Sequence, residues 1–97
     1  SNKTWRDCPA VEDAAIVNVG DMLEIWSNGL FPSTRHRVLP RTNGTDRYSI
    51  AFFMDPDDKV VVEPVTTCIE NNRISRFAPV QVGTYLKRKI ADSQVHK

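Results

Sequence analysis

Proline and glycine punctuation restricts the folding of this chain more than any other feature of its sequence. Residues 14–19, Ala14-Ala15-Ile16-Val17-Asn18-Val19, stop at Gly20-Asp21, and residues 33–39 stop at Pro40. Residues 47–54, Arg47-Tyr48-Ser49-Ile50-Ala51-Phe52-Phe53-Met54, stop at Asp55-Pro56, and residues 59–63 stop at Pro64. Runs this short, rich in β-branched and aromatic residues and bounded by turn formers, read as strands. The two-residue period of a strand sets Thr34, His36 and Val38 on one face, and Arg47, Ser49, Ala51 and Phe53 on one face of the next run. Between them, Asn43-Gly44-Thr45 matches a glycosylation pattern, but Asn-Gly between two strand-like runs is foremost a hairpin signal. The expectation is a mainly β, mostly antiparallel fold.

Two segments depart from that period. Asp21 is placed to cap a short helix over residues 22–26, which Asn28-Gly29 ends because both residues tolerate positive φ. Residues 82–90 space Val82, Tyr85, Leu86 and Ile90 at helical intervals, with Lys87-Arg88-Lys89 in the expected last turns, where they complement the helix dipole. This predicts an amphipathic C-terminal helix, with residues 92–97 as a frayed tail. Asn71-Asn72 marks an irregular stretch. No repeat or linker is visible, so residues 1–97 are expected to form a single domain.

The balance of residues narrows the function classes. In 97 residues, 40% are hydrophobic and 26% charged, and 13 Lys and Arg oppose 12 Asp and Glu for a formal charge of +1. That balance lacks the basic footprint of a nucleic-acid or membrane-surface binder, and the apolar runs fall well short of the ~20 residues that span a bilayer. A soluble, cytoplasmic chain is the expectation. Cys8 and Cys68 lie in no Cys-x-x-Cys pair and are expected to be free thiols. Asp55, Asp57 and Asp58 lack the glycine and the terminal glutamate of a calcium loop and read as a solvated turn. Trp5 and Trp26 are expected to pack in the core, and Lys87-Arg88-Lys89 to form the wet face of a helix.

Five ordered blocks carry a resemblance: Asn18-Val19-Gly20-Asp21-Met22-Leu23, Trp26-Ser27-Asn28-Gly29, Ser33-Thr34-Arg35-His36-Arg37-Val38, Arg47-Tyr48-Ser49-Ile50-Ala51-Phe52-Phe53 and Asp55-Pro56. In this order they resemble the C-terminal half of the catalytic core of the Fe(II)/2-oxoglutarate-dependent dioxygenases, in the isopenicillin N synthase-like branch, from about Trp5 to Ile90. The resemblance implies a partial double-stranded β-helix, or jelly roll, with a short internal helix and the C-terminal helix. It implies Fe(II) and 2-oxoglutarate as cofactor and cosubstrate of a complete enzyme. His36 corresponds to the distal iron-binding His, and Arg47 and Ser49 to the Arg-x-Ser pair that receives the far carboxylate of 2-oxoglutarate. Ala51 and Phe53 are expected to line the substrate pocket.

The residue types suit that chemistry. Two His and one carboxylate on one face of iron leave positions open for a chelating oxo acid and for oxygen. A metal-binding imidazole is oriented through its other ring nitrogen, and the arginine fork matches a carboxylate. The family's His-x-Asp pair is missing, since His96 is followed only by Lys97 and no His precedes His36. The chain therefore reads as a fragment, inactive alone, whose complete form, with its N-terminal half, would hydroxylate, desaturate or cyclise a small organic molecule. The alternative is a non-catalytic β-module that binds a partner or forms a homo-oligomer through exposed strand edges.

Overall fold

The computed structural model describes residues 4–40, 44–69 and 74–95. Its regular elements are α1 (Asp21–Trp26), β1 (Val61–Val62), a 3-10 turn (Thr66–Cys68), β2 (Val80–Gln81) and α2 (Val82–Val95). None of the described helices is long and apolar enough to cross a membrane.

The ends of α1 explain its length. Gly20 enters in extended backbone, and Asp21 and Glu24 put negative charge in the first turn, where the helix dipole favours it. At the other end Asn28 and Gly29 adopt φ of 54° and 84°. The Gly29 amide donates to Glu24 O at 2.8 Å and the Asn28 amide to Ile25 O at 3.0 Å, the paired bonds of a Schellman stop. Asn28-Gly29 ends the helix as expected. Asp21 does not act as the cap: it is the first helical residue, and its side chain makes no capping bond.

Met22 and Ile25, three apart on α1, form the buried core with Val62 of β1 and Val82 at the start of α2. Phe77, Val80, Tyr85 and Leu86 close over it. Strands β1 and β2 are antiparallel, with Val61 opposite Gln81 and Val62 opposite Val80. The turn from β2 into α2 presses the helix start onto residues 58–60. There the Val82 amide donates to Val60 O at 3.0 Å and the Gly83 amide to Asp58 O at 2.9 Å, satisfying donors that a helix start leaves free. A Cβ at Gly83 would stand 3.0 Å from Asp58 Cβ, so glycine permits this approach.

The rest departs from the predicted strands. The run at 59–63 narrows to β1, and β2 lies where no strand was expected. Among the described residues, 14–19, 33–39 and 47–54 are in no ladder, and the first two are joined by a backbone bond from Thr34 N to Val19 O at 3.4 Å. Their side chains alternate as strands require, yet among the described residues neither face meets a second layer, and Val17 and Ile50 remain 88% and 99% exposed. A strand with no neighbour leaves its amides and carbonyls to water and gains nothing for the conformational entropy it loses. The surface, 9265 Å², therefore exceeds the roughly 5600 Å² of a close-packed chain of 11.0 kDa. The radius of gyration, 16.6 Å, likewise exceeds the ~13 Å of a compact chain of this length.

Helix α2 continues past Ile90 to Val95, so residues 92–95 are helical and the basic run lies in mid-helix with no cation in the last turn. The expected dipole pairing is thereby lost. Trp5 is 57% exposed and Trp26 is also exposed, so neither is a core residue. Cys8 and Cys68 are free. The turn at 57–60 is held by Val60 N to Asp57 O at 3.0 Å and by Lys59 N to Asp57 Oδ1 at 2.9 Å. Gly44 has φ of 73°, while its expected turn partner Asn43, together with Asn71, Asn72, His96 and Lys97, lies outside the described residues.

Candidate active site

Three contacts position the segment carrying His36. At its start the Ser33 amide donates to Glu24 Oε2 at 2.6 Å, and the next residue makes the Thr34–Val19 bond. Beyond His36, the Arg37 guanidinium lies 4.0 Å from the centre of the Trp5 ring, a cation–π contact. Trp5 thus meets a cation at the surface instead of the core.

His36 is exposed, and its Nδ1 lies 3.0 Å from Thr34 O. A carbonyl can only accept, so Nδ1 is the donor in this contact and Nε2 takes no part in it. That is the orienting bond expected of a metal-binding imidazole.

Arg47 lines a concavity of about 350 Å³ with Val38, Leu39, Pro40, Thr45 and Asp46. The structure therefore brings Arg47 to the end of the His36-bearing segment. His36, Ser49, Ala51 and Phe53 are not in that lining, and all four are exposed. Among the described residues no layer of side chains covers the faces that carry them.

The residues present do not complete an iron centre. Among the described residues no three His, Cys, Asp or Glu side chains come together to hold a metal ion, and His36 alone could offer one donor where the two-His, one-carboxylate set needs three. Further ligands would have to come from beyond the described residues.

The groups with the richest bonding lie elsewhere. The buried Asn28 side chain donates from Nδ2 to Cys68 O at 3.4 Å and Ile74 O at 3.3 Å, and its Oδ1 accepts from the Arg76 amide at 2.7 Å. The Trp26 carbonyl accepts from the Val65 amide at 3.0 Å. Asp21 Oδ2 accepts from Tyr85 Oη at 2.6 Å and lies 3.2 Å from Lys89 Nζ, joining α1 to α2. The Tyr85 hydrogen bond, with smaller help from Ser33 and Lys89, holds the Asp21 carboxyl below its ordinary range despite some burial. Burial first, and then Asp21, pushes the Tyr85 phenol up to about 12. Local pattern marks Asn28 as a helix stop and Asp21 as a cap; their polar side chains beside apolar neighbours are the signal that each needs a distant partner.

Comparison with known proteins agrees with the motif order. The family model of the 2OG-Fe(II) oxygenase superfamily matches residues 1–56, a span that contains His36, Arg47, Ser49, Ala51 and Phe53. A 1-aminocyclopropane-1-carboxylate oxidase of Cucumis melo is 42% identical over 71% of the chain, and kihadalactone A synthase of Citrus sinensis is 40% identical over 84%. A homoarginine-6-hydroxylase of Oryza sativa subsp. japonica is 35% identical over 89%. No solved structure matches. The chain belongs to the 2OG-Fe(II) oxygenase superfamily, whose members use Fe(II) and 2-oxoglutarate and whose fold is a jelly roll. It spans about a quarter of these relatives' lengths, namely 22%, 24% and 26%.

Proposed function

We propose that this chain is the C-terminal catalytic-core portion of an Fe(II)- and 2-oxoglutarate-dependent oxygenase that acts on a small organic substrate. The observation that carries the reading is the superfamily match across residues 1–56, which takes in every candidate site residue. In this reading residues 14–19, 33–39 and 47–54 become jelly-roll strands once the rest of the core covers them. His36 is the distal iron ligand, held through Nδ1 by Thr34 O so that Nε2 can reach the metal. Arg47 and Ser49 receive the far carboxylate of 2-oxoglutarate, the arginine through its planar fork and the serine through its hydroxyl. Ala51 and Phe53, on the same strand face, border the substrate. Bound iron would supply the oxidising chemistry; the chain's own part is to offer one of the metal's ligands and orient the cosubstrate. The relatives' names describe work on small molecules, an amino acid among them, which supports the substrate class.

The test is the cosubstrate requirement of the complete enzyme. Arg47→Lys keeps the charge but loses the bidentate fork. Losing about 1.5–3 kcal/mol of charged hydrogen bonding should weaken 2-oxoglutarate binding by roughly one to two orders of magnitude. Anaerobic titration with iron present measures it, and equal affinities would remove Arg47 from the site. The isolated chain, with one ligand, should release no succinate from 2-oxoglutarate; turnover abolished by His36→Ala would overturn the fragment reading.

A further inference from the structure

Helix α1 ends in a loop that returns to it. The Ser27 hydroxyl donates to Glu24 O at 3.2 Å and accepts from the Phe31 amide at 3.0 Å, while the Leu30 amide donates to Ser27 O at 3.0 Å. These bonds, with the one from the Gly29 amide to Glu24 O, fold residues 27–31 onto the last turn of the helix. They bring Ser33 back beside the half-buried Glu24 side chain, nine residues earlier. There the Ser33 amide donates to Glu24 Oε2 at 2.6 Å, a short, charge-assisted bond. Among the described residues no cation pairs with Glu24, so its carboxylate is committed to this amide.

The residue after Ser33 carries the consequence. The Thr34 amide donates to Val19 O at 3.4 Å, and its carbonyl accepts from His36 Nδ1 at 3.0 Å. A neutral bond at 3.4 Å fixes a position far less firmly than a charged one at 2.6 Å. The placement of the Thr34 carbonyl, and with it the direction of the imidazole, therefore depends mainly on the Glu24 carboxylate. An acid in the first turn of α1 also suits the helix dipole, but that needs only its charge; the bond to Ser33 needs the reach of a glutamate as well. We propose that Glu24 is a positioning residue for His36, fixing Ser33 so that the Thr34 carbonyl orients the imidazole through Nδ1. This role rests on the assignment of His36 as an iron ligand and adds to it a residue on another element.

Anaerobic Fe(II) titration of the complete enzyme, without 2-oxoglutarate, tests it. Glu24→Ala should raise the Fe(II) dissociation constant about tenfold, the low end for groups that orient a metal-bound imidazole, since Glu24 acts through a neighbouring residue. Glu24→Gln keeps an oxygen acceptor at the same reach and should recover most of the loss. Glu24→Asp keeps the charge but falls one carbon short and should resemble Glu24→Ala; it carries the test if the alanine variant does not fold. In a His36→Ala background none of these changes should move Fe(II) affinity by more than about twofold, because residues that act through one another do not add. Imidazole nitrogen spectra of the metal-free enzyme at pH ~8.5, where the ring is neutral, should show His36 protonated at Nδ1. Glu24→Ala and Glu24→Asp should lose that preference. A purely structural tie would lower Tm without either shift, as Gly83→Ala should. Glu24→Asp that binds Fe(II) like the parent, or an equal loss with and without His36, would overturn the proposal while leaving His36 a ligand. Fe(II) affinity unchanged by His36→Ala would remove His36 from the site, and this role with it.

Discussion

Replacing Asn28 separates the two tasks that one residue performs. Its backbone occupies the left-handed region at φ 54°, and its buried side chain ties the end of α1 to Cys68, Ile74 and Arg76, between 40 and 48 residues later. Asn28→Gly removes the side chain while leaving the backbone at ease. The 2.7 Å bond from the Arg76 amide is short and is assigned about 1.5 kcal/mol; the two bonds at 3.3–3.4 Å are long and are assigned about 0.5 each, for a loss of about 2.5 kcal/mol. Asn28→Ala loses the same bonds and keeps a Cβ in the left-handed region that glycine lacks, so it should cost about 1 kcal/mol more than Asn28→Gly. Asn28→Asp keeps an acceptor for Arg76 but turns a carboxylate toward two carbonyls, and should be no better than Ala. Urea unfolding followed by far-UV circular dichroism gives the three values, and amide exchange at Arg76 reports the bond itself. If Asn28→Gly stays within about 0.5 kcal/mol of the parent, or if Arg76 keeps its protection, the bridge does not hold the two segments together.

Tyr85→Phe should destabilise the chain by about 1 kcal/mol, through loss of the hydrogen bond to Asp21, read as a lower urea midpoint. Because the Tyr85 pKa is raised to about 12, its stabilising contribution is whole below pH ~10 and is lost as pH rises through about 12. The Asp21 pKa is lowered, so its contribution is whole above the ordinary carboxylate range and fades as pH falls through its depressed value. Tm measured against pH should therefore fall at both extremes; an alkaline limb unchanged in Tyr85→Phe would contradict the assignment. Gly83→Ala should lower stability by about 1–2 kcal/mol despite alanine's better helix propensity, because its Cβ would press on Asp58, whose carbonyl the Gly83 amide already holds. A rise in Tm would show that residues 58–60 yield to it.

Features resting on neighbours in the chain were legible in the sequence. Asn28-Gly29 stops α1 because positive φ is a property of those residues, and Val82, Tyr85 and Leu86 mark one face of α2 because the helical period is local. The order of motifs around His36, Arg47 and Ser49 likewise pointed to the superfamily that the comparison found. Tertiary structure decided the rest. It set the reach of Asn28 to Arg76, the meeting of Asp21 with Tyr85 and Lys89, and the short pairing of β1 with β2, none of which any single segment specifies. It also decided that residues 33–39 and 47–54 stay outside a sheet. An alternating pattern tells a strand which face to bury, but the hydrogen bonds and the opposing apolar layer that make burial favourable belong to other strands.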